Sequence, residues 1–198
     1  MNVIYENLLI KIDDQTVLDS EIIQDIECAK CKDFDFDINY VEYGGWSSLM
    51  YAVKSERKEL VEYILEDPDI NINLRCSLWG DGTTLHVLCS YTNKIHILKL
   101  FLGRRDLDVN IRNKWGWTGL HEACYNNYIE YVKELLLDAR VDPSIRNRLG
   151  KTAIDYAIKR GHLGIANMLE RTGYTPLLRI SNEALCRDIV RMIIEEYV

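Results

Sequence analysis

Apolar residues along this chain come in short helical bursts separated by polar, glycine-bearing turns. Leu60, Val61 and Ile64 recur at the interval of one helix face, as do Ile129, Val132, Leu135 and Leu136. A shorter burst led by Ser or Thr precedes each stripe. Four of these bursts align: GWSSLMYAV (45–53), GTTLHVLC (82–89), GWTGLHEAC (116–124) and GKTAIDYAI (150–158). Their shared anchor falls at Leu49, Leu85, Leu120 and Ile154, with spacings of 36, 35 and 34. A second landmark runs through DIN (37–39), NIN (71–73), DVN (108–110) and DPS (142–144), spaced 34, 37 and 34. Two landmarks thus agree on a unit of about 34 residues. So short a unit cannot bury its own apolar face, so several must stack side by side. The pattern predicts an all-α repeat solenoid of helix-turn-helix units joined by β-hairpin-like loops.

Local signals place the elements. Thr118 and its equivalents are good N-caps for the first helix of each unit. Gly116, Gly150 and the Gly44–Gly45 pair mark hairpin turns. Helical patterns over about Asn2–Ile12 and Thr16–Ala29 read as an N-terminal helical cap, residues 1–36. The repeats then occupy 37–171, as units of about 37–70, 71–107, 108–141 and 142–171. After a break at Thr175–Leu178, Ser181 can cap a final helix through Tyr197, with Leu185, Ile189, Met192 and Ile193 on one face; residues 172–198 read as a C-terminal cap.

These units resemble the ankyrin repeat, with its period of about 33 residues and its T-P-L-H-x-A signature. Thr118, Leu120, His121 and Ala123 match it, with Gly119 in place of proline; Thr83, Leu85 and His86 match in the second unit. Ser47, Leu49 and Ala52 match in the first and Thr152 and Ala157 in the fourth. Met50 and Asp155 replace the histidine, so a weakened helix start is expected in both outer units. Extra residues fall near Trp79–Asp81 and Thr92–Asn93, at turns, where insertion costs little. The resemblance implies that His86 and His121 tie neighbouring repeats. It also implies recognition through hairpin tips and the concave surface of the first helices, with a protein or peptide as partner. All four tryptophans, Trp46, Trp79, Trp115 and Trp117, lie in the hairpins. Tryptophan is enriched at binding hot spots, although each indole could instead seal the neighbouring finger. On the concave side Tyr91, Glu122, Tyr125 and Asn126, with Ser90, Tyr51, Lys54 and Ser55, form a mixed aromatic and polar groove.

Composition narrows the partners. The net charge of −7 opposes sequence-independent nucleic-acid binding and adhesion to anionic lipid. No apolar run reaches the roughly eighteen residues of a membrane span. The N-terminal stretch lacks a basic segment before an apolar one, so a cytoplasmic or nuclear, monomeric protein with reduced cysteines is expected. No cofactor or metal is implied. Leu149–Thr152 imitates the end of a P-loop, but Ile145 stands where its first glycine belongs. Cys28 and Cys31 form a lone CxxC without the two further ligands a structural zinc needs. No nucleophile, base and orienting group can be assembled around the four histidines, so catalysis is not expected. Leu102–Asn110 is similar to the target of an asparaginyl hydroxylase; alternatively Asn110 orders its own turn. Ala184–Arg191 resembles part of a SOCS box, which offers a second function, substrate receptor of a ubiquitin ligase; the leucine expected before Cys186 is Asn182.

Overall fold

The computed structural model describes residues 3–32, 36–77, 80–91 and 94–171. Trp79, the Thr92–Asn93 insertion, the final helix expected from Ser181 and the SOCS-box-like segment lie outside the described residues. So does Cys186.

Helical pairs follow one another along the chain. The first pair is α1 (Val3–Asp13) and α2 (Asp19–Lys32), followed by α3 (Ser48–Lys54) and α4 (Lys58–Glu66). Strands β1 (Arg75–Cys76) and β2 (Gly82–Thr83) lead into α5 (Thr84–Tyr91) and α6 (Ile95–Gly103). The last pairs are α7 (Gly119–Tyr125) with α8 (Ile129–Leu137), and α9 (Ala153–Lys159) with α10 (Leu163–Arg171). Odd-numbered helices stack on one another in one row and even-numbered helices in a second. The anchors Leu49, Leu85, Leu120 and Ile154 are all buried, as are Leu60, Val61, Ile64, Val132 and Leu135. Ile129 departs from its expected place in the stripe and lies at the exposed margin. The architecture is the expected all-α solenoid.

The links between units are fingers. β1 and β2 pair antiparallel with Arg75 opposite Thr83, and Val41 bridges Ser47 in the first finger. Gly116 turns the third finger at φ +79, and a Cβ there would come 2.9 Å from Arg148 N in the next finger. Close approach as well as left-handed geometry therefore requires glycine. Gly119, where the family signature has proline, opens α7 against the preceding unit. A Cβ on it would meet Leu85 Cγ at 3.1 Å.

The helix starts show what the signature does. Thr118 N donates to His121 Nδ1 at 3.2 Å, and the Thr118 hydroxyl lies 2.9 Å from the same nitrogen. His121 Nε2 reaches Lys151 O at 3.2 Å, so one ring joins its own cap to the next finger. His86 repeats this with Thr83 N at 3.1 Å and Trp117 O at 2.9 Å. The expected weakening of the fourth unit is not seen. Asp155 Oδ2 accepts from Thr152 N at 2.8 Å and the Thr152 hydroxyl accepts from Asp155 N at 3.4 Å, a complete capping box. In the first unit the Ser47 hydroxyl accepts from Met50 N at 3.3 Å, but the Met50 side chain completes no capping box.

Asn110 also needs correction. Its own turn is ordered by Asp108, whose carboxylate accepts from Asn110 N at 3.0 Å. The Asn110 side chain instead spans units, donating to Arg140 O at 2.7 Å and accepting from Asp142 N at 2.9 Å. Asn73 and Asn39 do the same one and two units earlier, giving a ladder along the stack.

The N-terminal pair packs like a further unit, α1 on α3 and α2 on α4. Helix α2 begins at Asp19, not Thr16, because Asp14 Oδ1 captures Thr16 through both its N–H (2.9 Å) and its hydroxyl (2.7 Å). Such a turn competes with helix formation.

Candidate functional site

The third unit builds its finger around one side chain. Asn113 Oδ1 accepts from Trp115 N at 3.0 Å and Trp117 N at 2.9 Å, while Asn113 N donates to Trp117 O at 2.9 Å. Asn147 repeats this in the fourth finger with Leu149 N and Lys151 N. The two asparagines hold the fingers rigid, and rigid fingers fix where Trp115, Trp117 and Leu149 stand.

Trp115 lies at a tip, about half exposed. One edge of its indole packs on the second finger, where a Cβ on Gly80 would come within 2.5 Å of the ring. The Lys114 ammonium lies 4.6 Å from the ring centroid. Trp117 points the other way, into the space between units. Its ring centroid is 4.6 Å from that of Tyr156 and 5.4 Å from that of Tyr125. The Arg160 guanidinium covers Tyr125 at 4.1 Å and donates to its hydroxyl at 3.1 Å.

Between these rings and the two fingers lies a groove of about 540 Å³, lined by Trp115, Trp117, Glu122, Tyr125, Leu149 and Tyr156, with Lys114 and Arg148 at its rim. Leu149 is 78% exposed, an apolar tip that supports no core of its own. Glu122 is the half-buried acid of this groove. Burial raises its carboxyl to about 7, and the Ser90 hydroxyl opposes that shift. The contact falls short of a well-formed hydrogen bond, since Ser90 Oγ is buried without a partner of hydrogen-bond geometry. A further polar atom nearby in the repeat is also unmatched. Tyr51 donates to Glu42 in the first unit (2.6 Å), and Asn147 donates to Tyr156 in the fourth (2.8 Å). The equivalent pair in the third unit is Asn113 and Glu122, and Asn113 Nδ2 is buried with no partner.

The groove therefore brings together four expected residues: Trp115, Trp117, Glu122 and Tyr125. Trp46 and Tyr91 lie elsewhere on the same face, 6.5 Å apart by ring centroid, with Trp46 also 5.4 Å from Tyr51. Asn126 is engaged in the scaffold. It caps α7, and its amide donates to Cys89 O at 3.3 Å, so it is a poor partner contact. Leu149, Tyr156 and Arg148 were missed by sequence reasoning. Their signal was legible as Arg-Asn three and four residues before a turn glycine, in Arg112–Gly116 and again, 34 residues on, in Arg146–Gly150. Among the described residues no group of three or more His, Cys, Asp or Glu could hold a metal, and no helix is long and apolar enough to cross a membrane. Burial pushes the Cys89 and Cys124 thiols upward, away from the reactive thiolate.

This geometry separates two kinds of residue. His121→Ala removes an acceptor from Thr118 and a donor from Lys151, and is expected to cost roughly 1–3 kcal/mol of stability. Trp115→Ala is expected to cost clearly less, because half of the indole faces water. Thermal melting of the two variants checks this, and equal losses would make Trp115 a structural seal.

A family described as ankyrin repeats, in three copies, matches residues 85–179, and an ankyrin repeat matches residues 44–74. The chain is 27% identical over 160 residues to a putative ankyrin repeat protein of Escherichia coli (strain K12), covering 78% of this chain and 77% of that one. It is 33% identical over 140 residues to a putative ankyrin repeat protein of fowlpox virus, covering 67% and 40%. It is 32% identical over 100 residues to the SMC5-SMC6 complex localization factor protein 1 of Homo sapiens, covering 50% of this chain. It spans only 9% of that factor's length.

Proposed function

The chain belongs to the ankyrin-repeat family, whose members generally bind other proteins, and from that premise we propose that it grips a partner protein at the aromatic groove of its third and fourth repeats. The supporting observation is a groove whose apolar tips, Trp115 and Leu149, stand exposed over the half-buried carboxyl of Glu122, which no cation among the described residues pairs with. Exposed apolar side chains clustered around a few polar groups are typical of protein interaction sites. The partner inserts an apolar side chain between the fingers and covers Trp115, while its backbone N–H groups meet Glu122. Lys114 and Arg148 at the rim favour carboxylates beside that anchor. Action is by occupancy, as an adaptor, scaffold or inhibitor, and no catalytic step is proposed. A reducing cytoplasmic or nuclear setting goes with this proposal, supported by free thiols at Cys28, Cys31, Cys76, Cys89 and Cys124.

The full chain used as bait, compared with a Trp115→Ala/Leu149→Ala variant by quantitative mass spectrometry, identifies partners that depend on the groove. For the purified partner each substitution is expected to weaken binding by roughly 2 kcal/mol if it is a central contact. Retention of the same proteins by bait and variant would remove the groove from consideration and shift attention to Trp46 and Tyr91.

A further inference from the structure

A second groove, sharing no residue with the first, lies at the other end of the stack. It runs between α1 and the first finger, holds about 650 Å³, and includes Ile10, Val41, Tyr43, Glu6, Asp13 and Glu42 in its lining. Its apolar side chains are unusually bare. Ile10 is 68% exposed, Val41 is exposed, and Tyr43 at the finger tip is fully exposed. Three large apolar groups gathered in one concavity mark a contact surface rather than a solvent face.

The charges decide what fits. On α1 the order Glu6, Ile10, Asp13 places an apolar residue between two carboxylates on one helix face, at steps of four and three. Across the groove the finger presents the same alternation as Val41, Glu42, Tyr43. No lysine, arginine or histidine is among the lining residues; Lys54 stands at the edge, 3.5 Å from Asp13. Tyr51 donates to Glu42 at 2.6 Å, which holds that carboxylate in place without neutralising it. The wall is therefore apolar and negative by turns on both sides, in a chain whose net charge is already −7.

We infer that this groove docks a basic, extended segment of a partner protein, with lysine or arginine mixed among apolar side chains. An extended segment turns successive side chains to opposite walls, so a mixed order of basic and apolar residues gives each wall both kinds of contact. Its apolar side chains pack on Ile10, Val41 and Tyr43, and its cations pair with Glu6, Asp13 and Glu42. The first groove, with Lys114 and Arg148 at its rim, has the opposite charge preference. A partner that used both would therefore be oriented along the stack, with its basic end over α1.

The test uses the full chain and a short fluorescein-labelled peptide of lysine and leucine in mixed order, followed by fluorescence anisotropy. A peptide with glutamate in place of each lysine serves as control. The lysine peptide is expected to bind and the glutamate peptide not. Glu6→Gln/Asp13→Asn/Glu42→Gln is expected to weaken binding about tenfold or more, as loss of three rim charges should. Ile10→Ser and Tyr43→Ser alter exposed side chains, so the fold should survive, and each is expected to weaken binding severalfold. A control variant, Glu59→Gln/Glu66→Gln/Glu130→Gln, removes the same charge from exposed positions outside the groove and should bind like the parent. Equal weakening by both triple variants would show attraction to net charge alone and overturn the inference. So would unchanged binding by Ile10→Ser and Tyr43→Ser. Trp115→Ala should leave this peptide's affinity unchanged, which keeps failure here distinct from failure at the first groove.

Discussion

Arg57→Met is expected to lower stability by about 3–4 kcal/mol, the largest effect of any single substitution considered, because it strands a part-buried carboxylate and several carbonyls. The Arg57 side chain is only 6% exposed. Its Nε donates to Ile12 O at 2.7 Å, Nη1 donates to Val17 O at 2.8 Å and to Asp19 Oδ1 at 2.6 Å, and Nη2 donates to Asp14 O. One guanidinium thus satisfies the end of α1, the turn after it and the start of α2. Asp19 also accepts from Leu60 N at 3.3 Å, which anchors the carboxylate at the start of α4. Methionine keeps much of the stem's volume, so the loss reports on the polar network rather than on a cavity. Urea unfolding should show the loss, and hydrogen exchange should place it in residues 3–32 first. A change below about 1 kcal/mol would mean that water serves the turn carbonyls and that Leu8, Ile12, Ile22 and Ile26 hold the pair alone.

Acid is expected to destabilise the stack between about pH 6.5 and 4.5, and the motif histidines set the sign. Burial depresses both His86 and His121 to about 4, against an ordinary value of 6.5. Between those values the unfolded chain binds more protons than the folded one, so stability falls as pH falls. Each ring accounts for on the order of 3 kcal/mol across the full window. Glu122 acts in the other direction. Burial raises it to about 7 from 4.5, so the folded chain holds its proton over much of the same range. Its contribution is present below 4.5 and is lost as pH rises through 7. Two histidines against one carboxyl leave a net slope of about 1 kcal/mol per pH unit near pH 5.5, and Glu122→Gln should roughly double it. Urea midpoints measured between pH 4.5 and 6.5 provide the check. A flat profile in the parent would mean that the rings take up protons without leaving their caps.

The repeat was legible because it rests on local chemistry that recurs at fixed spacing. Thr118 and His121 are three residues apart, so the capping pair can be read from sequence, as can the turn at Gly116. The buried anchors Leu49, Leu85, Leu120 and Ile154 follow from the same register. The reading of Asp155 went wrong because a carboxylate can replace the imidazole at the cap, although it cannot also reach the next finger as His121 does. The helix boundary at Thr16 went wrong because one Asp14 oxygen competes locally with the helix.

The candidate site was only half legible. Tryptophan in a hairpin is visible in sequence, but its direction is not. Trp115 and Trp117 are two residues apart, yet one faces solvent at a tip and the other is wedged between Tyr125 and Tyr156. Asn126 looked like a concave-surface residue and is engaged by Cys89 O from the previous unit. The second groove left no signal, because Glu6, Ile10 and Asp13 meet Val41, Glu42 and Tyr43 only after α1 packs on α3. The sequence by itself determined the fold, since period, caps and turn glycines act within one unit and repeat. Tertiary structure alone decided which side chains are exposed, which carboxyl is half-buried and which rings share a groove, because each depends on contacts between units some 34 residues apart, where local pattern carries no information.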